Sequence, residues 1–281
     1  MTTLTMVAFA ANSVLNRMAL VDGGIDPASF GAVRLLAGGV MLWGLVVARG
    51  TSLRGAGDWR AALALFTYIF GFSFAYVVLD AGIGALILFG MVQITMFSGA
   101  LLGGERPPLQ RWLGAGIAGL GLVWLLWPGH ATAVSPSHAG FMMLAGIGWG
   151  IYSLLGRGAS DPLRATAANF VMAAPFGVAL VLIMGVESFT QAAPDALLLA
   201  CVSGAVTSGL GYALWYRVLP QLAASVAAVA QLTVPVIAMV GGLVLLGEPV
   251  TFTFIMATIL VLGGVALSVA QGQKTMRSSG S

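Results

Sequence analysis

The sequence predicts an all-α integral membrane protein, with ten transmembrane helices folded as two inverted five-helix repeats over residues 1–136 and 137–281. Three observations predict it. Of 281 residues, 59% are hydrophobic and 7% charged, with a mean hydropathy of +1.00; a soluble domain of this length has no use for so much apolar surface, so lipid takes the place of water around most of it. Cut at its charge and Gly/Pro clusters, the chain falls into ten apolar stretches, each near the roughly 20 residues that cross about 30 Å of hydrocarbon. Finally, "MVQITM" at Met91 to Met96 returns as "VAQLTV" at Val229 to Val234, five stretches later.

The first stretch, Thr2–Leu20, has the apolar core and small residues of a signal peptide but no basic segment before them. Its removal would leave nine spans and put the cationic tail outside, so it is read as a true first helix. Ala28–Ala48 follows and ends at the arginines 49, 54 and 60, and Trp59–Leu79 returns from them. Ile83–Leu102 carries "QITM" and ends at "GGERP"; Leu109–Trp127 follows Arg106. His138–Arg157 and Leu163–Gly185 flank a third basic turn, with Pro175 expected to bend the latter. Asp195–Leu219 precedes Ala223–Leu246, which holds "QLTV" and Pro235, a second expected bend, and Phe252–Ala270 is last. Gly99 with Gly103, and Gly146 with Gly150, have the small-xxx-small spacing that lets helices approach in lipid.

Charge orients these spans. Arg49, Arg54, Arg60, Arg106, Arg111, Arg157, Arg164, Arg217, Lys274 and Arg277 all fall on one side, ten of the twelve cationic residues. That side is the cytoplasmic one by the positive-inside rule, and both termini lie there. The opposite loops carry Asp22, Asp26, Asp80, Glu187, Asp195 and Glu248. The sequence pI near 9.4 then reflects topology, and no nucleic-acid partner is expected. The single Cys201 excludes an intrachain disulfide and a multi-cysteine metal site.

An odd number of spans between the two copies means that the second unit enters the membrane from the other side. "FSFAY" ending at Tyr76 pairs with "YALWY" ending at Tyr216, and Glu105 with Glu248. The pairing is imperfect: Gln93 to Glu105 is 12 residues and Gln231 to Glu248 is 17. Inverted halves that exchange conformations turn an outward-open molecule into an inward-open one, with a site near the midplane between them.

"AVRLLAGGV", "GALLGGERP", "GWGIYSLLGR" and "SVAAVAQLTVPVIAMVGGLVLLGEPVT" resemble the drug/metabolite transporter superfamily, in its EamA-type ten-helix branch. The resemblance implies a ten-helix basket in a bacterial inner membrane and export of small metabolites, with amino-acid exporters of the YddG type prominent among bacterial members.

No Asp, Glu, Lys or His falls in the middle of any span. A proton-for-cation pump needs such a carboxylate, so a neutral or zwitterionic solute moving without obligatory proton coupling is expected. Asn12, Gln93 and Gln231 are uncharged hydrogen-bonding groups for such a solute, or glue between helices; Asn169, near the inner surface, reads as glue. Arg34 either meets a substrate carboxylate or snorkels or pairs with Asp22 or Asp80. Tyr76, Trp149, Tyr152 and Tyr212 offer aromatic faces for an apolar side chain or a cation, whereas Trp43, Trp59, Trp112 and Trp127 lie where interface belts form. Arg17, Glu105, Pro175, Pro235 and Glu248 are structural or gating candidates, each glutamate expected to cap the helix that follows it. His130 and His138 share one loop without a clear third ligand. No catalytic or metal site and no cofactor is therefore expected, and one chain with ten helices is expected to work as a monomer.

Overall fold

The computed structural model describes residues 1–22, 24–104, 107–127, 134–157, 159–218, 221 and 230–270, and every regular element among them is helical. In order they are α1 (Thr2–Leu20), α2 (Pro27–Ala48), α3 (Trp59–Tyr76), α4 (Ala81–Leu102), α5 (Leu109–Leu126), α6 (Pro136–Gly156), α7 (Pro162–Met184), a short α8 (Val186–Thr190), α9 (Pro194–Val202), α10 (Gly211–Val218), α11 (Thr233–Leu246) and α12 (Phe252–Ala270). Between α9 and α10 the same helix continues as a π-helical stretch, Ser203–Leu210.

Local chemistry sets the starts. Asp26 accepts from the amides of Ala28 and Ser29 at 2.9 and 3.0 Å, with Pro27 in the first turn of α2. Asp58 accepts from Arg60 N at the head of α3, and Asp161 from Arg164 N at the head of α7, again beside a proline. Thr251 caps α12 through Phe254 N at 3.2 Å. Pro175 lies inside α7. Ala230 and Gln231 are helical, Leu232 is a turn residue, and Pro235 sits in the first turn of α11 just beyond it, where a missing N–H costs nothing.

Among the described residues, six helical segments are long and apolar enough to cross a membrane: Pro27–Ala48, Ala81–Leu102, Leu109–Leu126, Pro136–Gly156, Pro162–Met184 and Pro194–Trp215. Trp43, Trp59, Trp112 and Trp127, all near helix ends, are exposed, as side chains of an interface belt are.

The closest helix packing joins the first part of the chain to the second. α3 lies on α6, α5 on α12, α2 on α7, α4 on α6 and α11, and α1 on α11 and on the α9–α10 helix. Small residues make these contacts close. A Cβ at Gly146 would meet Met91 and the Leu88 carbonyl, and one at Gly150 would meet Thr95, so α6 rests directly on α4. Residues 1–127 and 136–270 are therefore interlocked, and the core lies between them.

Candidate functional site

Phe9, Asn12 and Ser13 of α1, Tyr68 and Phe72 of α3, Leu88 and Phe89 of α4, Trp149 of α6 and Tyr212 of α10 surround a cavity about halfway along their helices. It is about 20 Å³, room for roughly one water. Its walls are mostly aromatic. Trp149 lies against Tyr68 at 4.9 Å, Tyr212 at 5.1 Å and Tyr152 at 5.6 Å between ring centroids, and Phe9 meets Tyr212 edge-on at 5.7 Å. The rings come from both parts of the chain, so moving one part against the other would widen the space between them.

Polar groups knit this wall to the π-helical stretch. Asn12 Oδ1 accepts from the hydroxyls of Ser203, Thr207 and Ser208. Asn16 Nδ2 donates to the Asn12 carbonyl at 2.9 Å, and Ser73 donates to Asn16 Oδ1 at 3.2 Å, tying α1 to α3. A side chain at Gly204 would strike the Arg34 carbonyl, so the π-helical turns lie directly against α2. Single-turn π distortions recur at functional sites; here the distortion brings three hydroxyls to one amide.

Arg34 is fully buried. Its Nε donates to Ser208 Oγ at 3.1 Å and its Nη2 to the Tyr68 hydroxyl at 2.9 Å, and the guanidinium stands 4.9 Å from the Phe72 ring and 5.3 Å from the Tyr68 ring. Its Nη1 is buried without a partner, and so is the Tyr212 hydroxyl, which lies near that of Tyr68 without a well-formed hydrogen bond.

A second polar cluster closes the end of the bundle away from the Arg49, Arg54 and Arg164 side. Arg17, at the end of α1, donates through Nε to Glu248 at 3.2 Å and through Nη1 to the Tyr76 and Val77 carbonyls at 3.1 and 2.8 Å; its Nη2 lies 3.8 Å from Asp80. Glu248 also accepts from Ala81 N at 2.8 Å. It thus caps α4, the helix whose own N-terminal residue Asp80 makes no side-chain cap. Glu248 was expected to cap the helix after it; Thr251 does that instead, and Gly247, with φ +67°, turns the chain back so that Glu248 reaches α4. Burial is the main influence on the carboxyls of Asp80 and Glu248, and it holds both above their ordinary pKa range against the pull of Arg17 and, for Glu248, of the Ala81 amide.

The sequence profile of EamA-like transporters matches residues 1–127 and again 137–270. The chain belongs to the EamA-like transporter family, whose members are membrane transporters of small molecules. An uncharacterized protein of Pseudomonas aeruginosa, PA1977, is 48% identical over 271 residues, 96% of this chain and 93% of that one. A solved crystal structure superposes with a TM-score of 0.66 at 18% identity, over 96% of this chain and 98% of that one, a likeness of fold alone.

Within this EamA-like chain the predicted residues separate. Asn12, Trp149 and Tyr212 line the cavity, and Tyr152 stacks behind Trp149. Arg34 stands behind Tyr68 and Phe72. It neither snorkels nor meets Asp22 or Asp80; Arg17 takes Asp80 instead. Tyr76 is buried below the clamp, its hydroxyl on the Ala81 carbonyl at 3.1 Å, and is not part of the lining. Gln93 and Gln231 are half-buried and also outside the lining. Asn169 accepts from Asp58 N at 2.9 Å, which is glue. Glu105 and His130 lie outside the described residues, and among those described no group of acids, histidines and cysteines suits a metal. Sequence reading passed over Phe9, Ser13, Tyr68, Phe72, Leu88, Phe89 and Ser208. A signal for some was present, because Tyr68, Phe72 and Tyr76, like Phe9 and Ser13, are spaced by four and so share a helix face.

Proposed function

We propose that this protein exports small metabolites, neutral or aromatic amino acids foremost, across a bacterial inner membrane by alternating access. In this reading ten spans form two inverted five-helix repeats, with both termini in the cytoplasm. The observation that carries it is the aromatic cavity at mid-depth, walled from both parts of the chain and shut at one end by the Arg17–Glu248 clamp.

Further features support the repeats. The family profile fits twice, with its second match starting at residue 137. The packing also has the pattern of a two-fold: α2 faces α7, α4 faces α11 and α5 faces α12, each a helix against its counterpart five spans later, while α3 on α6 mirrors the α9–α10 helix on α1. Such a molecule rocks one unit against the other around a fixed site. The clamp is then one of its two gates, on the non-cytoplasmic side.

Facilitated movement, without obligatory proton coupling, follows from a lining that contains no carboxylate. Since both walls come from one polypeptide, the monomer is the proposed working unit, with lipid and the solute as its partners. No reaction chemistry, cofactor or nucleic acid enters the proposal.

Uptake of labelled amino acids into proteoliposomes of purified protein tests it. Saturable uptake of neutral amino acids, indifferent to an imposed pH gradient and reduced at least about tenfold by Trp149→Ala, is the expected result. Uptake that collapses when the pH gradient is dissipated refutes facilitated movement, and absence of any amino-acid flux refutes the substrate class.

A further inference from the structure

The Arg34 guanidinium is a whole positive charge set in the core with neutral partners only. Ser208 and Tyr68 accept two of its N–H groups, two ring faces flank it, and Nη1 has nothing. The described acids Asp22, Asp26, Asp58, Asp80, Asp161, Glu187, Asp195 and Glu248 all sit in loops or at helix ends, and the described ion pairs belong to Arg17. Burying an ion without a counter-charge is expensive even when its hydrogen bonds are partly met. Protein chemistry alone gives no return for that cost.

The unmet groups converge. Arg34 Nη1 and the Tyr212 hydroxyl are both buried and unpaired. Tyr68, which accepts from Arg34, and Tyr212 both line the cavity. A planar guanidinium with free N–H groups is matched by a carboxylate, which can also take a hydroxyl hydrogen bond. For an ammonium the lining holds no acidic side chain; it offers ring faces, the tyrosine hydroxyls and the small polar groups of Asn12 and Ser13.

We infer that Arg34, with the Tyr212 hydroxyl, forms a carboxylate subsite at the edge of the aromatic cavity, and that the obligatory feature of the ligand is a carboxylate joined to an apolar or aromatic body. An ammonium on the same molecule is optional. The inference rests on the cavity being the transport site and redefines its substrate class as aromatic and apolar monocarboxylates, of which neutral amino acids are one kind. Binding requires the aromatic walls to part, since the cavity as it stands has room for roughly one water.

Three probes that share a phenyl ring separate the charges: 3-phenylpropionate, L-phenylalanine and phenethylamine, titrated calorimetrically into the full chain in detergent. The first two are expected to bind and the third is not. Arg34→Gln is expected to weaken 3-phenylpropionate at least about tenfold, the scale of a lost charge-assisted pair, while Arg34→Lys retains part of the affinity and both variants keep a cooperative thermal transition. If Arg34→Gln does not fold, Tyr212→Phe removes only an unpaired hydroxyl and is expected to weaken the acid severalfold. Binding of phenethylamine as tight as that of the acids, no binding of 3-phenylpropionate, or acid affinity unchanged in the Arg34 variant (in Tyr212→Phe where that variant does not fold) overturns the subsite. The two readings fail separately: amino-acid flux that ignores Arg34 sinks the subsite and spares the transporter, whereas acid binding without flux of any probe does the reverse.

Discussion

Removing the carboxylate of Glu248 is the sharpest perturbation of the proposed gate. It joins three helices: Arg17 of α1 at 3.2 Å, the first amide of α4 at 2.8 Å, and, through Gly247, the end of α11. Hydrogen bonds to a charged group are worth about 1.5–3 kcal/mol each when removed, and the side chains of Arg17 and Glu248 are only 12% and 10% exposed. Burial of the carboxylate works against these gains, as its raised pKa shows, so Glu248→Ala is expected to cost the closed end about 2 kcal/mol, a shift of roughly 30-fold in the closed-to-open ratio. Glu248→Gln keeps an acceptor for Ala81 N and should cost about 1 kcal/mol. The readout is labelling of Ser13→Cys, in the cavity wall, by a membrane-impermeant maleimide in a Cys201→Ser background, since Cys201 is exposed. Labelling should rise in the order wild type, Glu248→Gln, Glu248→Ala, and Tm should fall in the same order. Unchanged labelling and Tm in Glu248→Ala would refute the clamp as what holds this end shut.

Two further outcomes are expected. Because Asp80 and Glu248 are held above their ordinary pKa range, the folded clamp binds protons more tightly than the unfolded chain; its contribution is fully present below the ordinary carboxylate range, about pH 4, and is lost as pH rises through the raised values. Tm measured between about pH 4 and 8 should therefore carry a falling component that Glu248→Gln reduces, and a slope identical in both proteins would count against it. Gly204→Ala drives a methyl into the Arg34 carbonyl and toward Ala37, an overpacking that should cost about 1–3 kcal/mol; an unaltered Tm would mean that the π-helical turns do not press on α2 as described.

Helix positions were legible because lipid imposes one simple rule, about 20 apolar residues between polar breaks. The stretches Thr2–Leu20 and Phe252–Ala270 are α1 and α12 to the residue, and those for α2–α7 and α9–α10 differ by a few residues at their ends. Trp43, Trp59, Trp112 and Trp127 are exposed near helix ends because an amphipathic ring favours the interface wherever its helix sits. The site was less legible. Trp149 and Tyr212 are in the lining, but Tyr76, with the same composition and depth cues, is bonded to Ala81 below the clamp. One turn separates Tyr76 from Phe72, and that turn decides which ring meets the cavity.

By itself, then, the sequence determined that this chain lives in lipid, where its helices begin and end, and that one end of the bundle is rich in arginine; these depend on composition and local spacing. The tertiary structure alone decided which side chains meet. Arg17 takes the Asp80 that was equally available to Arg34, Glu248 caps a helix 167 residues earlier, and Arg34 is left as an unpaired charge behind an aromatic wall. The physical reason is that partner choice depends on how two interlocked sets of helices are rotated and set against each other, and no periodicity within one helix carries that information.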